Sequence, residues 1–259
     1  MLTSQNLHEF EVQGYTLIPD VVNDQALSRC KDEIDNWASE SRYLKNNYGK
    51  LINGRARFEL AQGHTRFTPK LQQINNPIEI SQTYRDLVLN GKIPELLVPI
   101  LGYNIKFDHC KINTQYPEQK TSIDFHQAHA IEPQTNHSVV VAIVLLDDMA
   151  LTNGCLRIVP GSHKTQYSHY QNGRFSGKID RSILAKLRTP SQPVVAKSGS
   201  LCLLDTWVVH GFDVNQSNQP LRLLISEYKS PDTYPLSHHK LPSKFMNTMV
   251  LGKDDQKVR

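Results

Sequence analysis

The chain has 259 residues, 39% hydrophobic and 21% charged, which is enough apolar material for one domain with a full core and an ordinary polar surface. Its net charge of +4 comes from scattered Lys and Arg, and the tail (Lys253, Lys257, Arg259) is too short to act as a basic arm. Neither nucleic acid nor an acidic membrane surface is therefore an expected partner. No apolar run is long enough to span a bilayer, and Met1 to Phe10 lacks the basic-then-apolar order of a signal peptide.

In chain order, helical signals come first. Residues 23–40 open with the caps Asn23 and Asp24 and place Ala26, Leu27, Cys30, Ile34 and Trp37 at near-helical spacing. The stretch 42–70 is polar, aromatic and Arg-rich without a period, and reads as a loop over a pocket or as solvated linker. Residues 77–101 form a second helical region, ended by Gly102. From residue 103 the pattern changes to short apolar segments divided by turns. Strands are expected at 105–115, 122–130, 138–147, 155–159, 193–197, 200–204, 207–214 and 221–228. A helical N-terminal third followed by about eight strands predicts one domain over residues 1–259, mainly β with flanking helices. Its core, at about 103–230, would be a double-stranded β-helix, the cupin-like jelly roll. The four cysteines form no CxxC pair; Cys110, Cys155 and Cys202 lie in apolar segments, so reduced thiols and a cytoplasmic location are expected.

The chemistry-bearing residues fall in this second part. In Asp124-Phe-His126-Gln-Ala128-His129, side chains two apart on a strand share a face, so His126 and Ala128 are expected to point into the barrel together. His210 follows Val208-Val209 at the end of another strand. Twelve positions later Arg222 alternates with Leu221, Leu223 and Ile225 and so points opposite to them. On an interior face it would need an anionic partner, and a dicarboxylate would be one, through a bidentate pair. Taken singly, each of these is more often structural. His109, His129 and His137 are read that way, as is His238-His239 in a solvated Pro/Ser loop. Trp207 and Phe125 are expected to pack around the histidines. Arg55, Arg57, Arg66 and Arg174 are candidates for an anionic substrate, although surface arginines are common. No GxSxG elbow, GxGxxG loop or P-loop occurs.

The ordered combination resembles the phytanoyl-CoA dioxygenase superfamily of iron(II)/2-oxoglutarate-dependent enzymes. The resemblance runs from Phe10-Glu-Val-Gln-Gly-Tyr-Thr-Leu-Ile-Pro19 through Leu101-Gly102 and Asn153-Gly-Cys-Leu-Arg-Ile-Val-Pro-Gly-Ser-His163 to His210 and Tyr228. The Gly173–Gly177 loop is similar to one in bacterial members. The resemblance implies that His126 and His210 bind iron, that Arg222 pairs with the distal carboxylate of 2-oxoglutarate, and that Gln115 helps to hold it. Dioxygen would be the co-substrate. The family motif is His-x-Asp, and Ala128 stands where its metal-binding carboxylate belongs; Asp124 lies on the wrong side of the motif. His126-Gln127-Ala128 resembles the iron halogenases, in which chloride occupies the vacated position. Three readings follow. The first is a halogenase that chlorinates an unactivated carbon of a small molecule or amino acid, free or carrier-tethered. The second is a hydroxylase whose Asp has been replaced by Ala, naturally or by mutagenesis. The third is a non-catalytic binding protein on the same fold.

Overall fold

A computed structural model describes residues 2–117, 122–187 and 190–254. Of the tail residues named above, Lys257 and Arg259 lie outside them. The helices are α1 (Ser4–Gln13), α2 (Asp24–Glu40), α3 (Gln82–Leu89), α4 (Lys92–Leu101), α5 (Ala128–Ile131) and α6 (Arg181–Leu184). The strands are β1 (Tyr15–Ile18), β2 (Tyr48–Ile52), β3 (Arg55–Leu60), β4 (Leu71–Asn75), β5 (Ile105–Gln115), β6 (Ile123–His126), β7 (Val139–Leu145) and β8 (Leu156–Ile158). They continue as β9 (Tyr170–Gln171), β10 (Arg174–Phe175), β11 (Gln192–Pro193), β12 (Leu201–Asp205), β13 (His210–Phe212), β14 (Leu221–Lys229) and β15 (Met249–Leu251).

A large antiparallel sheet runs β1-β12-β7-β14-β5-β4-β3-β2, with β15 added beside β5. A small sheet, β11-β8-β13-β6, faces it, and together they make the expected jelly roll. The large sheet is apolar on both faces because both are covered. Val140, Ala142 and Val144 of β7 join Leu224 and Tyr228 of β14 in the core shared with the helices. Val141, Ile143 and Leu145 join Leu221, Leu223, Leu156 and Phe212 in the barrel interior. The helices are held on the outer face by one apolar stripe each. In α2 the Asn23 side chain accepts a hydrogen bond from the Ala26 N–H at 2.9 Å, and Leu27, Cys30, Ile34 and Ala38 turn inward at steps of three and four. The Tyr84 hydroxyl donates to the Cys30 carbonyl at 2.7 Å, tying α3 to α2.

Several local expectations are corrected. The stretch 42–70 contains the hairpin β2–β3, which extends the large sheet, because Tyr48 stacks on Phe58 and the turn at Asn53-Gly54 takes left-handed backbone. The region 77–101 is broken into a single turn, α3 and α4, with Gly91 at the N-terminus of α4. The strand expected over 122–130 ends at His126, and Ala128 opens the short helix α5. The elements α1, β1 and β4 were not anticipated, being short and weakly periodic. All four cysteines are free and buried. Among the described residues no helix is long and apolar enough to cross a membrane.

At the closed end of the barrel, Asn215 Nδ2 donates to the carbonyls of Gln115 and Gln219, at 2.9 and 2.8 Å, and Asn153 pairs with Asn215. Gly154 fits there only as glycine: its φ is +82°, and a Cβ would lie 2.2 Å from Gln115 Oε1 and 3.0 Å from the Asp213 carbonyl. Gly154→Ala is expected to cost about 1–2 kcal/mol from the left-handed backbone alone, read as a lower urea midpoint at unchanged slope.

Candidate metal centre

Neighbouring strands of the small sheet bring the two predicted histidines together. His126 on β6 is paired in register with His210 on β13, and the ring centroids are 4.3 Å apart. Each ring is oriented by its own strand: Nδ1 of His126 donates to the Asp124 carbonyl at 3.0 Å, and Nδ1 of His210 to that of Val208 at 2.9 Å. Those bonds leave the lone pair on Nε2 in both rings, the form a metal needs. Burial, followed by the neighbouring His210, pushes the His126 pKa down to about 3, and burial lowers that of His210. Both rings are therefore neutral bases at ordinary pH.

Gln127, between His126 and Ala128, is the fixing residue that the sequence did not reveal. It is buried, its N–H meets His169 Nε2 at 2.9 Å, and its amide bridges the carbonyls of Thr165 and Trp207 and the N–H of Tyr167. This anchoring turns the chain into α5 and sets the Ala128 methyl at the cavity wall. Asp124 faces the other way, its carboxylate 3.0 Å from Lys178 at the surface. Among the described residues, no group of three His, Cys, Asp or Glu ligand atoms includes either histidine. Phe125 packs outside the cavity near Val159, Ile179 and Val209, and Trp207 stacks on both His129 and His137, with centroids 4.2 and 4.8 Å apart. Neither of these two aromatics lines the cavity.

Arg222 is not in the barrel interior. It lies on the helix-facing side of β14 with Leu224, and its guanidinium is bound by Asp147 (Nε to Oδ2 2.8 Å, Nη2 to Oδ1 2.9 Å) and by Asp35 of α2 at 3.2 Å. The interior position beside it belongs to Leu221, paired with Gln115 and packed among Leu223, Leu156 and Phe212. Gln115 Oε1 is buried and has no hydrogen-bond partner among the described residues, but it lies against Gly154 and beyond the histidine cavity.

That cavity, of about 250 Å³, lies between the two sheets, with His126, His210 and Ala128 on one wall. Val141, Ile143 and Ile225 form its apolar floor, while Arg55, His109, Lys111, Glu132, Glu227 and Lys240 give it charge. A larger cleft of about 490 Å³ lies at the surface beside Asp124 and Lys178 and contains neither histidine. Lys111 has no hydrogen bond or ion pair among the described residues; burial lowers its pKa, and its charge in turn lowers those of both histidines. Arg55 is held by Glu59 at 2.7 Å, and Arg57 is buried against Glu79, away from any substrate. Arg66 and Arg174 are exposed and do not line the cavity.

Of the histidines expected to be solvated or structural, His109 lines the cavity and His239 lies behind it. His239 is 5% exposed and bonded to Asp108, as is His109 Nδ1 at 3.0 Å. Lys229, fully buried, completes the group on the other Asp108 oxygen. Burial works against the Asp108 charge, but the bonds to His109 and His239 and the Lys229 ammonium outweigh it and hold its pKa well below the usual range. The same carboxylate raises the pKa of His239 against the effect of burial.

A model of the phytanoyl-CoA dioxygenase family matches residues 10–223. The probable alpha-ketoglutarate-dependent hypophosphite dioxygenase of Stutzerimonas stutzeri is 26% identical over 255 residues, covering 96% of this chain and 86% of that protein. An ectoine dioxygenase of Nocardia farcinica is 22% identical over 226 residues, covering 80% and 71%. The crystal structure of EctD from S. alaskensis with 2-oxoglutarate and 5-hydroxyectoine superposes with a TM-score of 0.73 at 17% identity, over 95% of this chain and 84% of that one.

Two outcomes test these placements. Arg222→Leu is expected to destabilise the fold by about 2–3 kcal/mol, the usual worth of charge-assisted bonds, while leaving metal affinity near that of the parent protein. Asp108→Asn is expected to cost about 3–5 kcal/mol in chemical denaturation, because it leaves Lys229 buried and unpaired.

Proposed function

The chain belongs to the phytanoyl-CoA dioxygenase family, and from that membership we propose that it is an iron(II)-dependent enzyme of the halogenase type acting on a small polar molecule. The observation that carries this reading is the neutral, carbonyl-oriented pair His126 and His210 beside the methyl of Ala128, with no carboxylate in the set. The donor set fits iron with two imidazoles and leaves the remaining positions to exogenous ligands. Iron(II) held there would supply dioxygen activation.

The protein's own residues then have separable tasks. The two Nδ1 bonds fix the ring orientation and the tautomer. Ala128 removes a charge and leaves room for chloride, and the unpaired Lys111 favours an anion near the histidines. Val141, Ile143 and Ile225 exclude water from the cavity floor. Its volume of about 250 Å³ is at the small end for ligand pockets, which favours a free small substrate over a carrier-tethered one. Four buried free thiols are in keeping with a cytoplasmic protein.

The family's co-substrate, 2-oxoglutarate, does not fit the residue expected to anchor it. Arg222 is closed by two aspartates, and Leu221 fills the adjoining interior space. This observation favours a second reading, a binding protein that has kept the histidine pair without turnover. The third reading, a hydroxylase whose aspartate is replaced by Ala128, is favoured by the relatives, which carry the names of dioxygenases and a hydroxylase.

Anaerobic titration with iron(II) separates the readings. His126→Ala should lose the iron(II) bound at the histidine pair, and with it an absorption band that changes with chloride. Ala128→Asp should abolish the chloride response while keeping the iron. Chloride-independent spectra would remove the halogenase reading. Absence of succinate release from 2-oxoglutarate across a panel of small amino acids and phosphonates would favour the binding protein.

A further inference from the structure

The cavity has a second group of ligand-type side chains besides the histidine pair. His109 on β5, Glu132 just after α5 and Glu227 on β14 each offer a ligand atom, and the three atoms lie within 4.8 Å of one another. His109 is aimed by its neighbour: Nδ1 is bonded to Asp108 at 3.0 Å, and Nε2 faces Glu132 Oε2 at 3.8 Å. A carboxylate behind the imidazole and a free Nε2 in front is the arrangement that orients metal-binding histidines. Glu227 is 7% exposed and lines the cavity, yet it has no hydrogen bond or ion pair among the described residues. Buried carboxylates are ordinarily paired or bound to a metal. The nearby ammonium groups do not meet this need. Lys229 is committed to Asp108, and no lysine lies within ion-pair distance of Glu132 or Glu227 among the described residues.

We propose that His109, Glu132 and Glu227 form a binding site for a divalent first-row cation, separate from His126 and His210 and opening into the same cavity. One imidazole and two carboxylates are a donor set for Mn²⁺ or Zn²⁺, with the remaining positions open to water or ligand. At metal–ligand distances of about 2.1 Å, two donors on opposite sides of an ion are about 4.2 Å apart. Three donors spread evenly about one ion are about 3.6 Å apart, so from separations of up to 4.8 Å the three side chains must close by up to about 1.2 Å, a rotamer adjustment. Lys111 lies two residues along β5 from His109, and its charge acts on both Glu132 and Glu227 and on both histidines. A substrate bound beside it would meet the cation on one side and the histidine pair on the other. The cation would hold an anionic group, such as a carboxylate or phosphonate, while the carbon to be modified faces the histidines. The cation site itself does not depend on the halogenase reading.

Mn²⁺ provides the test, with bound and free ion distinguished by electron paramagnetic resonance on the full chain. The parent protein is expected to bind two equivalents. The His126→Ala/His210→Ala double variant should retain one of them, and Glu227→Gln and His109→Ala should each lose one while retaining the other. Two results overturn the proposal: a single equivalent in the parent protein that disappears with the histidine pair, or two equivalents persisting in Glu227→Gln. A proton shared between Glu132 and Glu227 is the competing way to neutralise them, and it predicts the first of these results. Should the double variant fail to fold, Glu227→Gln in the parent background decides, because its outcome is a count of bound ions.

Discussion

The site depends on one constraint, the two-residue alternation of side chains along the paired strands β5 and β14. His109, Lys111, Asn113 and Gln115 share one face of β5, and Leu221, Leu223 and Ile225 stand opposite three of them on β14. Everything on that face is in the barrel, and everything between is against the helices. A displacement of one residue exchanges the two environments entirely. Arg222 shows the consequence. Among the helices it has Asp147 and Asp35 as fixed counter-charges. What remains inside is apolar near Leu221 and charged near His109 and Lys111, so the polar chemistry is concentrated at the histidine end.

The histidine pair was legible in the sequence because it depends on local information. Each residue ends an apolar strand, and the small sheet needs only its register to bring the two together. The jelly roll was legible for the same reason: runs such as Val139–Leu145 and Leu201–Asp205 can only be strands buried on both faces. Arg222 was misplaced although its alternation was read correctly. Pattern gives the relative orientation of Leu221 and Arg222, but the choice of face requires knowing that Asp147 and Asp35 wait outside. The charged group around Asp108 was missed because its members are separated by as much as 131 residues, with Asp108 and Lys229 or His239 joined only in three dimensions. Glu227 did carry a signal, a charge two residues beyond Ile225 on the strand face that Leu221, Leu223 and Ile225 share.

Orientation at the histidines is achieved mainly by backbone groups. Carbonyls at Asp124 and Val208 fix the rings, and Gln127 fixes the backbone between His126 and Ala128 through four hydrogen bonds. Such support is independent of what residue 128 is. Residue 128 can therefore change in size and charge without loosening the two imidazoles. This separates the scaffold from its reactivity, and it explains how a family fold can persist around an altered ligand set.

The family match ends at residue 223, but the cavity does not. Glu227, Lys240 and Leu241 line it, and His239 holds the last two in place by its bond to Asp108. The segment that carries His239 and Lys240 belongs to no strand of either sheet, so its sequence can change without altering the register of the barrel. The chain thus has a fixed reactive wall, built by the sheets, and an interchangeable one, supplied from beyond them. Exchange of a short C-terminal stretch can therefore alter the charge and shape of the cavity with the histidine pair left as it stands.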